Sequence, residues 1–264
     1  MNVAFALLAL LALAPGQGGG VGISNMRLTF GELGPARPNN QYLPRDFVFI
    51  SFDIDGLKAT AEGKVSYSMA LEVIDKAGKA MFSAPPAKSE MLLPLGGAKL
   101  PAFVYVTLGP EMQPGTYNCK ITVTDDATKS SKTSEQKFEL LPPGFGLVQL
   151  YVSKDDKGMI ACGPNGVAGQ TVFVNFGLVG FSQVKDKKPD TAVEFRILDA
   201  NGQPTLTKPI VMADLPPNEP FVPFQVMLPM NREGAFTVEM KAVDKTSGKT
   251  AALTFPVKVY PAAR

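Results

Sequence analysis

The sequence contains two similar halves, and this internal repeat constrains the fold more than any other feature. The matching blocks, first half against second, are 49–52 with 173–176, 68–78 with 192–202, and 115–121 with 234–240. The first two pairs share a shift of 124 positions. The third has a shift of 119, because the second half lacks five residues in a loop between the blocks, and its alignment runs without a gap to Pro142 and Pro261. Because three blocks keep the same order, we interpret the chain as a tandem duplication of one domain of about 120 residues, an ordinary domain size.

The repeat predicts three segments in the 264-residue chain. Residues 1–20 form a signal peptide with a Gly-rich junction, residues 21–143 the first repeat, and residues 144–264 the second. The boundary falls at Leu141-Pro142-Pro143-Gly144, where two prolines end a strand and the glycine allows the chain to turn. A joint this short predicts that the two domains lie close together.

The N-terminus has the features of an export signal. Val3–Ala14 is a run of apolar residues that is shorter than the ~20 residues needed to span a bilayer. Ala12-Leu13-Ala14 is a small-x-small cleavage pattern, and a cut among the later glycines is an alternative because Pro15 follows directly. The other interpretation is a buried segment that starts the fold. We expect a secreted or periplasmic protein with no membrane span in the mature chain.

Hydrophobicity alternates with a period of two, which is typical of strands that have one buried and one solvated face. The alternating apolar sets are Val65, Tyr67, Met69, Leu71 and Val73; Tyr117, Cys119, Ile121 and Val123; and Phe236, Val238, Met240 and Ala242. Turn sequences separate the strands: 75–78 and 199–202 read D-x-x-G, and 125–128 and 244–249 mark a second hairpin in each half. The sequence therefore predicts an all-β protein of two antiparallel β-sandwiches, each of six to eight strands.

The segment Gly115-x-Tyr117-x-Cys119, just after a proline, resembles the strand-F signature of immunoglobulin-like domains. The resemblance implies that Tyr117 forms a tyrosine corner. No cysteine lies in the presumptive B strand, 47–52, the chain has no Trp, and the second repeat carries Phe236 and Val238 instead. The resemblance is therefore to tandem, disulfide-free bacterial Ig-like or fibronectin-III-like sandwiches, and it implies a binding or assembly role rather than catalysis.

Composition excludes most common enzyme classes. The chain has no His, so it has no His-based triad or imidazole metal site. A net charge of +2 gives no footprint for nucleic acid. No nucleophile motif is present, which leaves only a carboxylate pair assembled by the fold as a route to catalysis. We predict no enzyme activity, no catalytic residues and no cofactor.

Candidate metal and thiol sites are better explained by structure. Asp53-Ile54-Asp55-Gly56 opens like a calcium loop, but the closing position holds Lys64 instead of Glu, so we predict a turn at a strand end; Asp155–Gly158 is interpreted the same way. Four methionines are expected to fill the core rather than to bind a soft metal: Met159, Met227, Met230 and Met240. Cys119 aligns with Val238 and is expected in the core; a disulfide to Cys162 is the alternative.

We therefore expect an exported, non-enzymatic structural or interaction module whose partner is a protein or glycan of the cell envelope. No ligand-binding residues can be assigned from sequence. The alternative within this class is a glycan-binding module, for which Tyr42, Tyr105 and Tyr151 are candidates if they form a coplanar exposed row; the absence of Trp argues against it. The Lys185–Lys188 cluster is expected to be a solvated turn.

Overall fold

The computed structural model of the protein describes residues 20–97, 99–183, 185 and 187–262. The predicted leader, including Val3–Ala14, lies outside these residues. Seventeen strands and no helix occur in the described ranges, so the predicted all-β class is confirmed. None of the described segments is a helix long and apolar enough to cross a bilayer.

The first half folds into a sandwich of two sheets. One sheet has the strand order β1-β3-β6, and the other has the order β2-β8-β7-β4-β5. All pairs are antiparallel except β2 with β8. The strands are β1 (Gly22–Thr29), β2 (Gln41–Tyr42), β3 (Phe47–Asp55), β4 (Lys64–Asp75), β5 (Ala80–Leu92), β6 (Lys99–Thr107), β7 (Gly115–Asp125) and β8 (Ser131–Leu140).

The second half repeats this topology. Its sheets have the orders β10-β9-β12-β15 and β11-β17-β16-β13-β14, and β11 pairs with β17 in parallel, as β2 does with β8. Among the strands of the described residues, β10 alone has no counterpart in the first half. The strands are β9 (Gly146–Ser153), β10 (Ala161–Cys162), β11 (Gly166–Val167), β12 (Thr171–Val179), β13 (Thr191–Leu198), β14 (Ile210–Met212), β15 (Phe221–Pro229), β16 (Gly234–Asp244) and β17 (Lys249–Tyr260).

The predicted alternation places the core between the two sheets of each sandwich. In β7 every second residue is buried in the first core: Tyr117, Cys119, Ile121 and Val123. Val238, Met240 and Ala242 of β16 take the same place in the second core. The two cores are separate clusters, which fits the interpretation of a duplicated sandwich.

The predicted aspartate turns form in both halves. The Asp75 carboxylate accepts hydrogen bonds from the backbone N–H groups of Ala77 and Lys79, and Asp199 does the same for Asn201 and Gln203. Gly78 and Gly202 have φ of 82° and 75°, in the left-handed region that favours glycine. These turns set the direction of the chain after β4 and β13.

The joint between the sandwiches is packed rather than extended. Leu43 of the first half lies against it, since a Cβ added at Gly146 would come within 2.2 Å of the Leu43 side chain. Phe30, also from the first half, is buried within the second core. The predicted boundary between residues 143 and 144 stays a prediction, and Phe30 shows that the packing crosses it.

Candidate functional site: an open apolar edge on each sandwich

The two sheets of the first sandwich do not end at the same place. β5 is an edge of the five-stranded sheet and β6 is an edge of the three-stranded sheet. Phe82 and Ala84 of β5 pair with Val73 and Leu71, whose side chains face the core, so they point to the same side. No described strand covers them from the opposite sheet.

The result is an apolar groove of about 690 Å³ between β5 and β6, which we call the β5–β6 groove. Its floor includes Leu71, Val73, Val104 and Val106, and Phe82 and Tyr105 lie at its rim. Phe82 is 48% exposed and Tyr105 55% exposed. No residue of β5 is buried, which is unusual for a strand that contains Met, Phe and Leu side chains.

The second sandwich has the same opening. A groove of about 330 Å³ lies between β14 and β15, the counterparts of β5 and β6, and we call it the β14–β15 groove. Phe173 pairs with Met227, as Phe49 pairs with Tyr105 in the first sandwich, so Met227 occupies the position of Tyr105. Met227 is 59% exposed. The two sandwiches therefore share an apolar opening at the same edge.

Tyr105 belongs to an aromatic cluster on the outer face of the three-stranded sheet. Its ring stacks on Phe49, with centroids 5.5 Å apart and an interplanar angle of 29°. Phe47 contacts both rings edge-on, and Phe103 lies 6.4 Å from Phe49. These contacts hold the Tyr105 ring at the rim of the groove in a fixed orientation.

The predicted glycan candidates are not brought together. Tyr42 is buried, with the Arg37 guanidinium 4.1 Å above its ring, and burial raises the pKa of its hydroxyl. Tyr151 is half-buried on β9, and its hydroxyl donates to the Gly158 carbonyl oxygen at 3.3 Å. The suggestion that Tyr42 belongs to an exposed row is therefore wrong, and Tyr105 is the exposed member of the three.

The acidic pairs have structural partners. Asp53 and Asp55 lie within β3 rather than in a turn, and both carboxylates face the ammonium group of Lys99, at 3.8 Å and 3.5 Å. Asp155 accepts backbone hydrogen bonds from Met159 and Ile160, as expected for a turn. Among the described residues, no group of three or more potential metal-ligating side chains occurs.

Both cysteines are free thiols in the structure. Cys119 is fully buried in the first core, which confirms its predicted packing role, and burial raises its pKa to about 12. Cys162 is half-buried on β10, and burial also raises its pKa. The thiolate, the reactive form, is disfavoured at both positions.

The methionine and lysine predictions have mixed outcomes. Met230 and Met240 are buried in the second core as predicted, but Met159 is 80% exposed and Met227 lines the groove, so core filling is wrong for these two. Lys188 forms an exposed ion pair with Asp214. Two members of the surrounding segment, residues 184 and 186, lie outside the described residues.

Comparisons with known proteins give low similarity throughout. No protein-family model matches the sequence, and the search of curated proteins finds no match. Among solved structures, the C-terminal domain of the Streptococcus agalactiae antigen I/II polypeptide BspA is 10% identical over 90% of this chain and all of that chain, with a TM-score of 0.31. The C-terminal domain of the Streptococcus pyogenes antigen I/II-family protein AspA is 10% identical over 91% of this chain and 100% of that chain, with a TM-score of 0.30.

A third solved structure, latent PorU from Porphyromonas gingivalis, is 12% identical over 92% of this chain and 20% of that chain, with a TM-score of 0.40.

Proposed function

We propose that this protein is an exported, non-enzymatic interaction module that binds a partner through its apolar grooves. The observation that carries the proposal is the recurrence of the same opening in both sandwiches, with Tyr105 and Met227 at equivalent positions. Apolar side chains clustered at a surface opening favour association, because covering them removes apolar area from water.

An Ig-like identity for each sandwich is part of the proposal. If β1, β3, β4, β6, β7 and β8 are lettered A, B, C, E, F and G, the sheets read A-B-E and G-F-C, as in Ig-like domains. The Tyr117 hydroxyl donates to the Gln113 carbonyl oxygen at 2.6 Å, four residues upstream, which is the hydrogen bond of a tyrosine corner. Sandwiches of this type commonly serve as binding and spacing units.

Export and the lack of catalysis rest on the sequence. The Val3–Ala14 run and the glycines that follow support secretion to the periplasm or the exterior. The absence of His removes the commonest general base. We place the partner in the cell envelope because an exported module meets envelope components first.

The test is a binding assay with the full chain immobilised and exposed to cell-envelope extract of the producing organism, with bound protein and bound glycan scored separately. The groove variant is Phe82→Asp, which places a carboxylate at the rim. Its matched control is Ser83→Asp on the same strand, because neighbouring residues of a strand point to opposite faces.

We expect the wild type and Ser83→Asp to retain the same partner and Phe82→Asp to lose it at least tenfold, since burying an unpaired carboxylate is costly. Equal retention by all three proteins would contradict the proposal. Thermal unfolding of the variants provides the check on folding; Phe82 is half exposed, so little change is expected.

Glycan binding is the second candidate, and the exposed Tyr105 ring is the observation that favours it. A sugar ring can stack on such a face, supported by the Phe49 ring beneath it. A glycan array probed with the wild type, Tyr105→Ala and Phe82→Asp separates the two functions. Binding that Tyr105→Ala abolishes and Phe82→Asp retains would favour a glycan ligand.

A further inference from the structure

We propose that the β5–β6 groove receives an extended strand of a partner protein, which pairs with the free edge of β6 and inserts every second side chain into the groove. This inference rests on the proposed function and specifies its partner as a segment with uncharged, apolar residues at alternate positions. It combines two features that the described part of the chain shows at the same edge: main-chain groups with no strand paired to them, and an apolar groove that no described strand covers.

Pro101 indicates which main-chain groups of β6 are free. It pairs with Asp53 in the β3–β6 ladder but has no N–H to donate. Pro101 therefore occupies a position of β6 at which the main-chain N–H and C=O groups point away from β3. Orientation along a strand repeats every second residue. Phe103 and Tyr105 therefore direct their N–H and C=O groups to the open side, whereas Val104 and Val106 use theirs toward β3.

The groove lies beside these free groups. Val104 and Val106 line it on β6, and Leu71 and Val73 line it on β4. A strand paired with Phe103 and Tyr105 would continue the three-stranded sheet by one member and lie opposite the overhanging side chains of β5. Such a strand completes the sandwich, because β5 then has a partner across the core.

The opposite edge, β5, is a poorer acceptor. Pro85 and Pro86 stand in the middle of the strand, where the β4–β5 register shifts between Met69 and Leu71. Proline lacks the donor that an added strand needs, and a bulge bends the edge away. On β6 the stretch from Ala102 to Thr107 contains no proline. The added strand is therefore expected on β6.

Charge limits the partner further. The groove is lined without any Asp, Glu, Lys or Arg. A charged side chain directed inward would lose its hydration without gaining an opposite charge. This complementarity favours a neutral apolar segment of a protein over an acidic peptide or a nucleic acid. The β14–β15 groove is smaller and includes Arg232, so the proposal is restricted to the first sandwich.

The experiment uses the full chain as bait for a phage-displayed library of random nine-residue peptides. We expect selected peptides to carry apolar residues at alternate positions. The affinity of the strongest peptide is then measured for two variants. Tyr105→Ala removes the ring, and Tyr105→Pro removes both the ring and the free N–H. Loss of one main-chain hydrogen bond predicts that proline weakens binding about 3- to 10-fold beyond alanine.

Amide exchange followed by NMR gives a readout that needs no variant. On peptide binding, the N–H groups of Phe103 and Tyr105 should become protected, while those of Val104 and Val106 should be protected already. This measurement also decides the question if Tyr105→Pro fails to fold.

Several results would overturn the inference. They are a library that yields no peptide, equal affinities for Tyr105→Pro and Tyr105→Ala, or unchanged exchange at Phe103 and Tyr105. A peptide that binds Tyr105→Pro and Tyr105→Ala equally but does not bind Phe82→Asp would support the interaction module and contradict strand addition. A concentration-dependent dimer of the free chain that Tyr105→Pro dissociates would replace the partner strand with a second copy.

Discussion

The backbone N–H of Gln149 donates a hydrogen bond of 2.6 Å to the carboxylate of Asp46, which lies 103 residues earlier in the chain. This carboxylate is buried where the two sandwiches meet, and it also pairs with the Arg37 guanidinium at 3.2 Å. The Gln149 side chain donates to the Arg45 carbonyl oxygen at 2.6 Å. Arg45 and Gln149 both have positive φ, 75° and 56°, a strain that these hydrogen bonds offset.

Removal of the Asp46 carboxylate should destabilise the whole protein. Asp46→Ala leaves the largely buried Arg37 without its ion-pair partner, and breaking a buried pair from one side costs about 3–5 kcal/mol. The exposed pair of Asp55 with Lys99 supplies the control, since Asp55→Ala should cost no more than about 1 kcal/mol. Urea denaturation measures both values. Losses that agree within 1 kcal/mol would contradict a linking role for Asp46.

The position of Gln149 could not be found from the sequence. Two residues of β9, Gln149 and Leu150, lie opposite the single residue Phe176, which makes a bulge and frees the Gln149 N–H from the ladder. Asn25 of β1 occupies the equivalent bulge, 124 positions earlier, with φ of 51°. Asn and Gln at these positions give no pattern in the sequence, because a bulge depends on which strands pair and in which register.

Stability should fall in acid through Asp244. Burial acts to raise the pKa of its carboxyl group, but hydrogen bonds from Ser247 and Ser182 outweigh this and lower that pKa to about 2. As pH falls, the unfolded chain binds the proton first, near the ordinary 3.8, so stabilisation present above pH 4 is lost toward pH 2. This loss amounts to about 1–2 kcal/mol.

Urea midpoints for the wild type and Asp244→Asn between pH 2 and pH 6 measure this effect. The variant should be less stable at pH 6 and should lose less on acidification. Asp125 holds the equivalent place in the first sandwich. Burial acts to raise the pKa of its carboxyl group, but hydrogen bonds from the backbone N–H groups of Lys58 and Ala127 outweigh this, so the pKa is lowered. Asp125→Asn should therefore show the same loss of stability at pH 6 and the same weaker dependence on pH. Parallel pH curves for variants and wild type would rule this mechanism out.

Cys119 should behave as a small hydrophobic residue. It is fully buried, and the second sandwich has Val238 at the aligned position. Cys119→Val should therefore change the free energy of unfolding by less than about 1.5 kcal/mol, whereas Cys119→Ser should cost about 1–3 kcal/mol because its hydroxyl lacks a partner in the core. Thermal unfolding distinguishes the two, and a serine variant as stable as the valine variant would refute the packing role.

The apolar openings had a weaker signal in the sequence than the cores. Alternation is sufficient to predict β7 and β16, because a half-buried strand repeats with a period of two. β5 carries no such alternation of burial, and its Pro85-Pro86 pair marks an edge strand without showing what lies opposite. An overhang is a relationship between two sheets, so Phe82 and Tyr105 could be linked only once the sheet orders were known.

Limited proteolysis should respect the two sandwiches. The joint between β8 and β9 is short, with Pro142 and Pro143 exposed, and the strands on either side are paired. A protease of broad specificity should cut there first and leave two fragments of similar size, resolved by mass spectrometry. Early cuts scattered over residues 60–120 would contradict a chain built from two sandwiches joined at this point.

Phe30 should stabilise the second sandwich although it belongs to the first half of the chain. It is buried with Leu147, Val174 and Phe255 in the second core. Phe30→Ala should cost about 3–5 kcal/mol and speed amide exchange in β9 and β12. The control, Phe52→Ala in the first core, should speed exchange in β3 and β7 instead. Hydrogen-exchange mass spectrometry resolves these segments, and acceleration confined to β3 and β7 in Phe30→Ala would show that the second core does not depend on this contact.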